Sequence, residues 1–268
     1  NVFVDMFFAS SFQGAASGLA YGNFLIQAPL GILSNSLILP FLPKISKLIK
    51  NKEIKYLQKS ITSTVEYSFL TTFFLTGFFI SFNKQIIEFI FQRGAFNYEA
   101  TLTVKKILIA YAIGIPFYLF RDLLIRIFYV FEKTELPFKL SFLGIALNIG
   151  FDWILIGAPI FNSTNLLPYN FGITGIVLSS GFVNLIICLI LSNNLRVKEI
   201  NLINSFLLKK ILFIMIACLI TSTTCVGIVN ILEVKDQNFL INGLVLIIGF
   251  ILFTTQYFII TKLFKVNK

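Results

Sequence analysis

Seven apolar stretches long enough to cross a bilayer recur along this 268-residue chain, and an eighth opens it; charged or Pro/Asn/Gly-rich connections separate them. They run approximately over 1–20, 21–43, 61–82, 103–131, 138–161, 171–192, 207–232 and 238–264. A helical span needs about 20 apolar residues, because hydrocarbon offers no water to backbone N–H and C=O groups and the helix satisfies them internally. The pattern predicts an all-α, polytopic membrane helix bundle of about eight transmembrane helices. Composition agrees: 13% of the residues are charged, against roughly 25% in an ordinary soluble domain.

The net charge of +10 is explained by where the charges sit. Taking connections alternately, one set holds Lys44, Lys47, Lys50, Lys52, Lys55 and Lys59, then Lys133 and Lys139, then Arg196, Lys198, Lys209 and Lys210, then Lys262, Lys265 and Lys268. The other holds Lys84, Arg93, Lys105, Lys106 and Lys235. Fifteen against five places the first set, and the C-terminus, in the cytoplasm by the positive-inside rule. The basic excess is thus a topology signal that calls for no nucleic-acid partner, while juxtamembrane lysines attract anionic membrane lipids.

The chain contains no His, which excludes an imidazole base, an imidazole proton relay and a His-ligated zinc. Cys188, Cys218 and Cys225 lie in apolar runs without metal-type spacing and read as small buried hydrophobes. The chain opens at Asn1 inside an apolar stretch carrying Asp5, which reads as part of a longer protein. Between Lys44 and Ser60, Ile45, Leu48, Ile49 and Leu57 alternate with lysines, as in a helix lying on the membrane surface or in a solvated basic linker. Pro29, Gly31, Pro40 and Pro43 in the second span, and Gly114 with Pro116 in the fourth, predict kinked or broken helices of the kind transporters place around cavities.

The stretch Tyr21-Gly22-Asn23-Phe24-Leu25-Ile26-Gln27-Ala28-Pro29 resembles the eighth helix of the MurJ/MviN lipid II flippases. Phe91-Gln92-Arg93-Gly94-Ala95-Phe96, Gly114-Ile115-Pro116-Phe117, Phe128-Tyr129 with Lys133-Thr134 and Pro137, and the G-x-x-G opening of Gly172 to Ser180 agree in order and spacing. Arg121-Asp122-Leu123-Leu124-Ile125-Arg126 is similar to cyanobacterial members. The resemblance runs from Val4 to about Asn184, and the last two spans match in hydropathy alone. It implies helices seven to fourteen of a fourteen-helix exporter: a C-terminal lobe over 1–192 and two additional helices over 193–268, with an N-terminal lobe as missing partner. It further implies a multi-pass protein of the bacterial inner membrane. Alternating access there carries lipid II, or a related lipid-linked precursor, outward in peptidoglycan biosynthesis.

Many members carry Asp-Arg in the eighth helix, the arginine facing the substrate pyrophosphate; this chain has Asn23-Phe24 there, and Gln27 where Glu is common. Asn23 and Gln27 are therefore the substrate-facing candidates by resemblance. Independently, ionisable residues inside spans are the default functional candidates, since each costs at least about 2.5 to 3.5 kcal/mol at the bilayer centre unless paired or wetted. Asp122 and Arg126 are four apart on one helical face, which suits either an ion pair pinning a helix or, with Arg121 turned to a cavity, contact with a phosphate. Asp152 follows Asn148 by four, and neither it nor Asp5 has a basic neighbour within a turn. By resemblance, a sodium site falls on Asp5, Asn148, Asp152, the carbonyl of Ile176 and the hydroxyl of Ser180. The residues alone leave open a proton-titrated or Arg-paired carboxylate couple.

Glu66 is expected to snorkel toward the cytoplasmic interface, and Trp153 to pack or anchor. Glu88, Arg93 and Glu99 shape an external turn. No cofactor beyond sodium is called for. Two other functions remain open: a drug/cation antiporter of the same superfold, and a membrane-embedded transferase, which the scattered charges of the loops disfavour.

Overall fold

A computed structural model describes residues 2–10, 12, 14–94, 96–156, 171–196, 205–231 and 239–263. The described residues form α1 (Val2–Ala9), α2 (Ala15–Leu33), a π-helical turn (Ser34–Ile38), α3 (Leu39–Lys50), α4 (Ile54–Phe91), α5 (Tyr98–Val130), α6 (Glu135–Ile156), α7 (Ile173–Arg196), α8 (Ser205–Ile231) and α9 (Phe239–Leu263). Seven helices among them, counting Ala15–Lys50 as one, are long and apolar enough to cross a membrane. The all-helical membrane bundle expected from the sequence is present. Lys198, Lys235, Lys265 and Lys268 of the charge pattern, and Ala95 of the Phe91 to Phe96 motif, lie outside the described residues.

The first two expected segments are divided differently. Segment 1–20 is not one helix: α1 ends at Ala9, Phe12 N–H donates to the Ala9 carbonyl at 3.0 Å, and Gly14 takes φ 73 before α2 begins. That left-handed conformation is open to Gly without a Cβ penalty, so the second span starts at Ala15 rather than at 21. From there the helix runs to Lys50, about 54 Å at 1.5 Å per residue, well beyond the roughly 30 Å of hydrocarbon. The stretch from Lys44 to Ser60 is accordingly helical and packed rather than a solvated linker. It is the end of α3, a turn at Asn51 to Glu53 and the start of α4, with Ile45 and Leu57 buried in the main core.

Proline acts here more gently than a break. The ring of Pro40 meets the carbonyl of Ser36, four residues back, and Ser36 is the middle of the π-helical turn, which widens the helix without ending it. Pro116 sits inside an unbroken α5. It leaves the Ala112 carbonyl without its helical donor, and the Thr76 hydroxyl of α4 donates to that carbonyl at 2.8 Å. The departure from helical geometry inside α4 has no proline at all: Phe82 takes φ −116, ψ 23. Its ring occupies the space that a Cβ on Gly249 would need, so the kink is seated on the bare backbone of α9.

α4 and α5 pack against each other at the centre. α8 and α9 lie on α4; α2 and α7 lie on α5; α6 lies on α7; and α1 rests against α6 and α7. Polar contacts fix α8 and α9 to α4. Tyr257 donates from its hydroxyl to the Leu70 carbonyl at 2.9 Å, Cys218 Sγ lies 3.2 Å from the Phe73 carbonyl, and Lys210 Nζ meets Glu66 Oε1 at 2.5 Å. Glu66 therefore does not snorkel. Its side chain is 19% exposed and pairs with one that is 11% exposed, because a cation on the facing helix is nearer than the interface.

These contacts set two expectations for stability. Thr76→Val should cost about 1 kcal/mol, the net value of one hydrogen bond, and much less in a Pro116→Ala background, where the alanine introduced there supplies an N–H that reclaims the carbonyl; a double-mutant cycle on denaturant midpoints reads the difference. Glu66→Gln should cost about 3 kcal/mol by leaving Lys210 buried against a neutral partner, measured as a lowered unfolding midpoint in detergent.

Candidate polar cavity and carboxylate cluster

Two glycines in the Gly172 to Ser180 motif set how α7 meets α6. Gly172 takes φ 51 at the entry to α7. At Gly175 an added Cβ would sit 2.6 Å from the Leu155 carbonyl oxygen, so only Gly lets the end of α6 approach this closely. One turn farther along, that approach brings the face of α6 carrying Asn148 and Asp152 against Ser179 and Ser180 of α7.

Asn148, Asp152 and Ser179 are completely buried. Asn148 Nδ2 donates to Asp5 Oδ1 at 2.6 Å and to Asp152 Oδ2 at 3.0 Å, so one amide bridges carboxylates from α1 and α6. The Ser180 hydroxyl lies 3.1 Å from Asn148 Oδ1 and 3.4 Å from Asp5 Oδ2. Ser179 donates to Asp152 Oδ1 and lies 2.8 Å from the Ile176 carbonyl. All five residues singled out for a sodium site thus converge. Ser179 escapes the sequence reading; its signal is a Ser-Ser pair inside an apolar run, of which the resemblance marks only the second hydroxyl. Neither Asp5 nor Asp152 forms an ion pair with Lys or Arg among the described residues.

Asp5 and Ser180 also line a cavity of about 280 Å³ between α1, α2, α5 and α7. Asn23 and Gln27 of α2 line it, as do Arg121 of α5 and Asn184 of α7. Arg121 Nη1 donates to Asn184 Oδ1 at 2.7 Å. Three of the five expected substrate-facing residues, Asn23, Gln27 and Arg121, therefore share one space with the carboxylate cluster.

Asp122 and Arg126 do not line it. They pair at 3.1 Å, and Ser34 Oγ donates to Asp122 Oδ2 at 2.9 Å and lies 3.4 Å from Arg126 Nη2. Ser34 opens the π-helical turn, so the geometry matches the pinning alternative: the pair ties that turn to α5. Trp153 is 42% exposed beside the buried Asp152, in keeping with a packing or anchoring side chain. Of the residues expected to shape the turn after α4, Glu88, still within α4, is held by Lys84 at 3.6 Å and by Asn242 at 3.3 Å, while Arg93 donates to the Ile90 carbonyl.

The junction yields a direct expectation. Gly175→Ala must push α7 off the Leu155 backbone and should cost about 1 to 3 kcal/mol, the usual range for overpacking, read as a lowered thermal midpoint in detergent.

Comparison with known proteins gives a consistent result. Residues 1–250 match the family described as Lipid II flippase MurJ. A protein of Synechocystis sp. named "Probable lipid II flippase MurJ" is 37% identical over 185 residues, covering 69% of this chain and 32% of the relative. One of the same name from Rickettsia prowazekii is 29% identical over 156 residues, 58% of this chain and 31% of the relative. A solved structure, "Lipid II flippase MurJ, inward closed conformation", superposes with a TM-score of 0.65 at 25% identity, covering 94% of this chain and 49% of its own. The chain thus spans about a third of the length of these curated relatives and about half of the solved chain. With a family match over residues 1–250 and the same fold as a solved member, the chain is a multi-pass membrane protein that belongs to the lipid II flippase MurJ family.

Proposed function

We propose that this chain serves as a lobe of a transporter that moves lipid II, or a closely related lipid-linked peptidoglycan precursor, from the cytoplasmic to the outer leaflet of a bacterial plasma membrane by alternating access. The observation that carries the proposal is the polar cavity inside the membrane-spanning bundle, lined by Asn23, Gln27 and Arg121, in a chain whose residues 1–250 match this family. A bilayer interior tolerates such a lining only where a polar ligand or water uses it. The basic ends of the spans support a cytoplasmic C-terminus. The cavity would face a second lobe of the complete transporter, and the lysine-rich ends would rest on anionic lipid.

The carboxylate cluster is proposed to hold sodium. Its chemistry fits: Asp5 and Asp152 carboxylates, the Asn148 amide oxygen, the Ile176 carbonyl and the Ser180 hydroxyl are all hard oxygen donors, brought together from three helices. A bound cation supplies the positive charge that two neighbouring carboxylates require. The chain's own part is to present the oxygens: Asn148 spaces the carboxylates, and Ser179 fixes the rotamer of Asp152.

Rescue of a bacterium depleted of its own lipid II flippase tests the function. The complete reading frame that contains this chain should restore growth and cell shape, and its Asp152→Asn variant should fail to do so at equal membrane abundance. No rescue by the unaltered, properly inserted protein would reject the flippase function and favour an antiporter or another lipid-linked cargo.

A further inference from the structure

Two connections that share one side of the bundle differ sharply in charge. The turn between α5 and α6 carries Glu132 and Glu135 against Lys133 and Lys139, and is balanced. The hairpin of α3 and α4 carries Lys44, Lys47, Lys50, Lys52, Lys55 and Lys59 against Glu53 alone. All six lysines are exposed and none forms an ion pair among the described residues, while Glu53 accepts from Asn51 Nδ2 at 3.1 Å.

Orienting a span requires lysines close to its ends, and these reach farther. α4 and α8 run in parallel, joined where Lys210 meets Glu66, Cys218 meets the Phe73 carbonyl and Ser81 reaches the Ser222 carbonyl. That register sets Ser205, the start of α8, beside Ile61. The 27 residues of α8 measure about 40 Å, already the thickness of a bilayer with its headgroups. α4 begins at Ile54, two helical turns farther out, so the tip of the hairpin stands about 10 Å beyond the headgroups. Charges are screened over about 8 Å at physiological salt. Lys44 and Lys59, at the base, therefore meet lipid charge, whereas Lys47, Lys50, Lys52 and Lys55 face the aqueous phase.

The tip is preformed. Asn51 N–H donates to the Lys47 carbonyl and Glu53 N–H to the Leu48 carbonyl, each at 3.0 Å, and Lys52 takes φ 57 between them. Below it, Ile45 and Leu57 fasten the hairpin to the main core. Among the lysines, Ile54 is 50% exposed and Tyr56 65% exposed, an apolar pair held out in water. Apolar side chains rimmed by charge mark an interaction surface. A single-stranded nucleic acid would call for several aromatic platforms between the basic residues, and Tyr56 is the one aromatic residue from 44 to 60.

We infer that the tip of the α3–α4 hairpin docks an acidic segment of a soluble partner protein, its carboxylates meeting Lys47, Lys50, Lys52 and Lys55 and an apolar side chain resting on Ile54 and Tyr56. In the orientation proposed above this partner is cytoplasmic. The surface is remote from the polar cavity and stands whatever the cavity carries.

The test uses the product of the complete reading frame in phosphatidylcholine nanodiscs, with a fluorescein-labelled peptide of glutamates and helically spaced leucines as the probe in fluorescence anisotropy. The acidic peptide should bind, its glutamine analogue should not, and affinity should fall as salt rises. Combining Lys47→Gln, Lys50→Gln, Lys52→Gln and Lys55→Gln should weaken binding roughly tenfold or more at an unchanged thermal midpoint, since these side chains lie outside the core. Ile54→Ser with Tyr56→Ser should weaken it about threefold or more without altering the salt dependence, which diffuse attraction to a basic surface would not do. Lys133→Gln, in the balanced turn, serves as the control and should bind as the unaltered protein does. No binding of the acidic peptide, or unchanged affinity in either combined variant, overturns the assignment. So does displacement of the peptide by phosphatidylglycerol vesicles or by oligouridylate at lower charge concentration, which would make the tip a seat for lipid or nucleic acid.

Discussion

A polar group buried in a membrane bundle has no water to turn to, so each one must find its partner on another helix or on its own backbone. Much of this structure follows from that constraint. The Ala112 carbonyl freed by Pro116 takes a hydroxyl from α4, the buried Tyr257 finds the Leu70 carbonyl, and Glu66 finds Lys210. Asp152 presents the severest case. Fully buried, it takes hydrogen bonds from Asn148 and Ser179, and those bonds place α6 against α7 and, through Asn148, bring Asp5 of α1 to the same point.

α7 is the element on which the site converges. Gly175 admits the backbone of α6, and Gly114 and Gly181 bring α5 and α7 together, a Cβ on the first lying 3.6 Å from the Cα of the second. Small residues at such crossings let helices approach where lipid supplies no hydrophobic drive for association. Between these contacts α7 offers Ser179 and Ser180 to the carboxylates and Asn184 to Arg121. A shift of α7 along its axis, by even part of a turn, therefore acts on both charged groups at once.

Much of this is legible in the sequence. Apolar run length marks the helices, and the i, i+4 spacing of Asn148 and Asp152 and of Asp122 and Arg126 marks the shared faces, because helical periodicity is a local property. Resemblance, rather than spacing, brings Asp5, Ile176 and Ser180 to the same cluster, since nothing local relates residue 5 to residue 180. Three features are hidden for physical reasons. The break before Ala15 depends on Gly14 adopting φ 73, one option among many for a glycine. The kink at Phe82 depends on a bare glycine of α9 far along the chain, and the fate of Glu66 depends on a lysine of α8. Proline signals overstate the disruption, because a neighbouring hydroxyl or a widened turn restores what the ring removes.

We propose that the fully buried carboxylate of Asp152 and the half-buried one of Asp5 beside it are built around a cation. The most direct test is the thermal midpoint of the purified protein in detergent, compared in sodium chloride and in choline chloride at equal ionic strength. A ligand that binds only the folded state raises stability by about 2.7 kcal/mol at a hundredfold excess over its Kd. A sodium site makes the midpoint climb and saturate with sodium while choline leaves it low. Superimposable melting curves in the two salts across the whole concentration range would contradict it.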